Sequence, residues 1–159
     1  MLNYKKQKGF TLIELLVVIA IIILLASISI IALNNQQAKA RDARRISDIR
    51  QIKTALEFYA SDEGQYPVEV NPVVLGSQGK EKLCAKAEGG FVGAETSCKT
   101  ETTHMTKIPQ DPLTSQKYIY TGSEKGYDIV FTTEKESSLG SAGTYHAHAQ
   151  AIDTLPGIR

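Results

Sequence analysis

Three things are scarce in this chain, and each scarcity narrows what it does. Charge of one sign is the first: 18 Lys and Arg stand against 17 Asp and Glu in 159 residues. Nothing in that balance carries the basic excess of a nucleic-acid binder, and no nucleic-acid site is expected. Cysteine is second, with Cys84 and Cys98 the only two. They form no CxxC and have no neighbouring His pair, so zinc is disfavoured. A disulfide is expected over the alternative of two free thiols, and its closed loop would stabilise the fold by roughly 3 kcal/mol. Third, neither Pro nor Gly occurs from Phe10 to Glu63. Turns are thereby excluded across that whole stretch, and one long helix is expected. An HExxH pair, a Gly-rich phosphate loop and a nucleophile–base constellation are also missing. Catalysis has no support, and neither an enzyme nor a cofactor is expected.

What is present begins with an apolar run. From Leu15 to Leu33 no residue is charged, about the ~20 residues that a membrane-crossing helix needs. Lys5, Lys6 and Lys8 precede it, and basic residues in that place keep an N-terminus cytoplasmic. Both cysteines then fall outside the cytoplasm, where disulfides persist. A cleaved secretory signal fits less well, although Ala38-Lys39-Ala40 offers a small-residue site: the run is long, and Arg41, Arg44 and Arg45 follow at once. Glu14 is the anomaly. A carboxylate inside such a run costs roughly 2.5–3.5 kcal/mol on insertion scales, so a partner is expected to offset it. One candidate is local, because Thr11-x-x-Glu14 has the spacing of a capping box.

Beyond the run the helical period continues. Ile46, Ile49, Ile52, Leu56 and Tyr59 recur every three or four residues, which marks one face for packing against a small domain. The charged residues between 39 and 53 read as a solvated or subunit-facing surface. Gly64 is placed to cap the helix end. Residues 65–116 read as an irregular connector stapled by the cysteines, since Pro67 and Pro72 argue against regular structure in QYPVEVNP. From Lys117, KYIYT and GYDIVFT around GSEKG form a hairpin signal, and TYHAHAQAID alternates as a third strand. A three-stranded antiparallel sheet over 117–153, packed on the helix, makes an α+β head. His146 and His148 share one strand face, but spacing supplies no third ligand, so a metal is disfavoured.

KGFTLIELLVVIAII, behind a short lysine-bearing leader, resembles the class III signal of type IV pilins and of the related type II secretion pseudopilins. The close match covers residues 8–30, while residues 31–64 are similar in architecture only. IPQDPLT followed by YIYT is similar to the Pro-Asp-Pro stretch before the hairpin in major pseudopilins and many pilins. The resemblance implies a leader at 1–9, a membrane-spanning and assembly helix at 10–33, an amphipathic helix at 34–64 and a head at 65–159. A prepilin peptidase would cut between Gly9 and Phe10 and methylate the new amine of Phe10. Copies, held first in the inner membrane with the N-terminus inside, would assemble on an inner-membrane platform into a helical filament of identical subunits. Glu14 would there meet the amine of a neighbouring Phe10. A type IV pilus serving adhesion, motility or DNA uptake is the leading expectation, and a pseudopilin of type II secretion is the alternative. A single-pass anchored binding protein that does not assemble is the reading from another class. In major pseudopilins a calcium loop follows the hairpin. Here that stretch is TTEKESSLGSAG, where Glu134 and Glu136 supply too few hard oxygens for the ion.

Overall fold

The computed structural model describes residues 9–155, apart from the side chains of residues 28–32 and 100. By contact the chain divides into two compact units, one ending at Gln37 and the other beginning at Ala38. Helix α1 runs unbroken for 52 residues, Leu12–Glu63, starting in the first unit and ending in the second. Its continuity follows from the missing Pro and Gly. The helix stops at Gly64, whose φ of 72° is left-handed and whose N–H donates to Ala60 O at 2.9 Å. That is the cap that a Cβ-free residue forms most readily.

Among the described residues, no helix is long and apolar enough to cross a membrane. The charge-free run of the sequence continues through residues 28–32, whose side chains lie outside the described ones, and the part ending at Ser27 falls short of the ~20 residues of a span. The leader, apart from Gly9, lies outside the described residues as well.

The second unit is an α+β head with two antiparallel sheets where the sequence suggested one of three strands. The larger sheet takes the order β1-β5-β6-β7-β8 and the smaller β3-β2-β4. Their strands are β1 Glu69–Val74, β2 Lys82–Cys84, β3 Phe91–Val92, β4 Thr103–Met105, β5 Ile119–Gly122, β6 Tyr127–Thr133, β7 Gly143–Ala147 and β8 Ile152–Asp153. The hairpin read from KYIYT and GYDIVFT is β5–β6, paired from Ile119↔Val130 to Gly122↔Tyr127. TYHAHAQAID is two strands rather than one, because His148 N donates to Ala151 O at 2.8 Å and turns the chain.

The irregular connector expected at 65–116 contains four strands. Pro72 is tolerated in β1 because that strand lies at the sheet edge, and its register shifts between Glu69 and Val73; edges and bulges are where a sheet accepts proline. Strands β2, β3 and β4 hold two or three residues each, too few for an alternating pattern to register. Cys84 and Cys98 are disulfide-bonded, with Cα atoms 6.0 Å apart, which ties the three-residue strand β2 to the loop between β3 and β4.

Burial explains the packing. Ile49, Ile52, Leu56 and Tyr59 of α1 join Tyr120, Tyr127, Ile129, Phe131, Tyr145 and Ala147 of the larger sheet in one core. The strand residues alternate inward, as a half-buried sheet requires. Phe91 of the smaller sheet meets Tyr120 edge-on at 4.8 Å between ring centres and so joins the two sheets. Each such apolar side chain contributes roughly 1.5–3 kcal/mol on burial.

Candidate functional site

Two clusters carry chemistry, one in each unit. The first surrounds the start of α1. Thr11 N donates to Glu14 Oε2 at 2.8 Å, Thr11 Oγ1 donates to the same oxygen at 2.6 Å, and Glu14 N donates to Thr11 Oγ1 at 3.3 Å. This is the reciprocal capping box of the spacing, and within one copy it is what answers the Glu14 carboxylate. Phe10, just ahead, is 89% exposed, and Leu12 through Leu25 present their large apolar side chains outward. An exposed apolar surface of that extent marks an interaction site. At Gly9 an added Cβ would meet nothing within 4 Å, so the fold itself does not demand glycine there.

The second cluster lies inside the head, and sequence reasoning missed it. The buried stripe of α1 runs Ala38, Asp42, Arg45, Ile49, Ile52, Leu56, Tyr59, spaced alternately four and three residues apart. Two of its positions are charged. Arg45 is fully buried and not part of a solvated face. Its Nε and Nη2 donate to Asp111 Oδ2 and Oδ1 at 2.7 and 2.9 Å. Its Nη1 donates to Asp42 Oδ1 at 2.6 Å and to Glu134 Oε1 at 2.7 Å. Arg41 grips Glu134 with both Nε and Nη2 at 2.8 and 2.6 Å. Asp42 also accepts the backbone N–H groups of Glu134 and Lys135 at 2.8–3.0 Å. Leu113 N donates to Asp111 Oδ1 at 2.8 Å, closing the turn at Asp111-Pro112.

Electrostatics follow from these contacts. The hydrogen bond from Arg41, with the charge and hydrogen bond of Arg45, holds the Glu134 carboxyl down to about 2, although partial burial opposes this. Burial works against the charge of Arg45, but its bonds to Asp111, Glu134 and Asp42 outweigh burial and raise its pKa. One turn on, burial raises the pKa of Asp48, against the Tyr118 hydroxyl that donates to it at 3.1 Å. Part of the signal was available: continuing the 3–4 stripe two turns from Ile49 towards the N-terminus places Arg45 and then Asp42 inside.

The remaining sequence candidates do not converge on chemistry. His146 Nδ1 bonds Asp128 Oδ2 at 2.8 Å, His148 Nε2 donates to Leu155 O at 3.0 Å, and the two rings lie 6.3 Å apart between centres. The histidines tie β7 to β6 and to the segment after β8. The three-residue group with metal-like spacing among the described residues is Cys84, Glu88 and Cys98, and its two sulfurs are bonded to each other. Calcium does not fit the stretch after β6 either. Both oxygens of Glu134 accept from arginine, Glu136 is exposed, and the ion takes six to eight hard oxygens.

A prepilin-type start, one long helix and a small antiparallel head together define the pilin-like class. Residues 4–30 match the prokaryotic N-terminal methylation motif, and residues 32–147 match the type II secretion system (T2SS), protein G family. The chain belongs to that protein G family. It is 30% identical over 144 residues to the type II secretion system core protein G of Vibrio cholerae, covering 91% of each chain. It is 31% identical over 126 residues to that of Escherichia coli K12, covering 79% of this chain and 80% of the relative. No solved structure matches it significantly. Of the two assemblies expected from the sequence, the matches favour the type II secretion pseudopilin over the type IV pilus.

Proposed function

We propose that this chain is a pseudopilin, a structural and non-enzymatic subunit of a type II secretion system. The observation that carries the reading is the protein G match over residues 32–147, joined directly to the methylation motif over 4–30. In this reading the chain is held in the inner membrane until prepilin peptidase cuts between Gly9 and Phe10 and methylates the new amine. The outward apolar side chains from Phe10 to Leu25 then pack against the same segment of other copies in a short helical filament built on an inner-membrane platform. Glu14 changes partner on assembly, from the Thr11 cap to the amine of a neighbouring Phe10. A carboxylate left unpaired in that apolar environment destabilises every misplaced register, since removing one partner of a buried pair typically costs 3–5 kcal/mol.

Intact mass of the mature chain tests the processing step: a chain beginning at methylated Phe10 is expected, and one beginning at Met1 overturns it. Deleting the gene separates the two assemblies. Loss of exported proteins from the medium supports the pseudopilin; unchanged secretion with loss of surface filaments returns the reading to a pilus. Glu14→Ala is expected to leave the membrane-held precursor intact and to abolish assembly, and unchanged assembly would remove the pairing role.

A further inference from the structure

We infer that the buried guanidinium of Arg45 is a tethered cation, held in a cradle of three carboxylates where a bound metal ion would otherwise be needed, and that it makes the head independent of calcium. The inference concerns the head alone and does not depend on the secretion reading.

Asp42, Asp111 and Glu134 arrive from three separate stretches of chain: α1, the turn at Asp111-Pro112 and the residue just after β6. Left together without a positive centre they would repel, and burial would deepen the repulsion because interior charges are poorly screened. Arg45 supplies that centre, 0% exposed and bonded to all three through four carboxylate oxygens. Every oxygen of the three carboxylates has a donor, from Arg45, Arg41, Leu113 N, Glu134 N or Lys135 N. Only a planar fork matches that layout. An ammonium is a point charge and cannot answer Asp111 with two parallel bonds while reaching Asp42 and Glu134.

The arrangement does what a structural divalent ion does: it collects oxygens from distant loops and fixes them to a helix. The stretch after β6, poor in acidic residues beyond Glu134 and Glu136, is tied to α1 by this cluster and packs Leu139 against the core. Counting the two arginines against the three carboxylates, the cluster carries one net negative charge. Removing Arg45 leaves two, the charge that one divalent cation neutralises.

Thermal unfolding of the full chain in detergent, with EDTA or with millimolar calcium chloride, tests this. The unfolding midpoint of the unaltered chain is expected to differ by less than about 2 °C between the two conditions. A native state held by calcium at a hundred-fold excess over its Kd would gain roughly 5–10 °C, and a gain of that size would overturn the inference. Arg45→Ala is expected to lower the midpoint in EDTA by roughly 6–20 °C, and calcium is expected to restore at least about 5 °C of it. Arg45→Gln, which keeps most of the side-chain volume, repeats the measurement should the alanine variant not fold. Calcium raising neither variant more than the unaltered chain would show that the carboxylates do not form a cation cradle.

Discussion

From Phe10 to Leu25 the chain turns its large apolar side chains outward; from Ala38 onward it turns most of them inward, with Phe58, Val68, Val70 and Leu155 the exposed exceptions. Two glutamates express the same contrast. Glu14 has a threonine three residues away as its partner, while Glu134 is held by two arginines about ninety positions distant in sequence. In the head, every carboxylate oxygen of the buried Arg45 cluster finds its donor within the chain. In the N-terminal segment the large apolar side chains stay exposed. An exposed apolar surface of that extent marks an interaction site, and that difference separates it from a folding unit.

The comparison breaks first at the buried cluster. Asp111→Ala removes two bonds from Arg45 and leaves a buried guanidinium short of a partner, for an expected loss of about 3–5 kcal/mol in denaturant unfolding. A pair of leucines sharpens the contrast. Leu56 is fully buried and Leu16 is 54% exposed. Leu56→Ala should destabilise the head by about 2–5 kcal/mol, whereas Leu16→Ala should leave head unfolding unchanged and weaken assembly instead. Equal effects of the two on unfolding would erase the distinction between the regions.

How much of this was readable differs by element, for physical reasons. The long helix was legible from what its stretch lacks, and Gly64 from the backbone conformation that only glycine adopts freely. The β5–β6 hairpin was legible because its strands are long enough to alternate. Strand β1 was hidden by Pro67 just before it and by Pro72 within it, whose cost is small at a sheet edge, and β2 to β4 by their brevity. The Arg45 cluster was hidden by chemistry: Asp42 and Arg45 occupy core positions of the stripe, yet charge normally marks a solvated face. Their partner Asp111 is 66 residues from Arg45, a pairing that no local pattern encodes.

A smaller effect is expected from the disulfide. Cys98→Ser frees the loop between β3 and β4 from β2, and the chain-entropy account puts the loss at roughly 3 kcal/mol, less where the opened chain keeps residual structure. Acid sensitivity is smaller again and has a definite sign. Glu134 has its carboxyl depressed from 4.5 to about 2 in the folded head, so the unfolded chain binds the proton more tightly. Its contribution is complete above about pH 4.5 and is lost as pH falls towards 2. Glu134→Gln should therefore lower stability at neutral pH and flatten the fall across that window; an equally steep fall would place the acid sensitivity elsewhere.

The smallest effect belongs to the first region and defines its limit. Thr11→Ala removes one hydroxyl that both accepts from Glu14 N and donates to Glu14 Oε2. Loss of a helix cap costs about 1 kcal/mol, and here it falls on the first turn of α1, far along the chain from the core at Ile49 to Tyr59. Amide exchange is the suitable measurement: faster exchange is expected over the first turn from Leu12, with the head unchanged. The carboxylate of Glu14 then loses the hydroxyl and keeps only the backbone N–H of residue 11 as its local donor. If that carboxylate serves assembly, Thr11→Ala should still assemble where Glu14→Ala does not. Equal failure of both would mean that the cap, and not the charge, is what the first turn contributes.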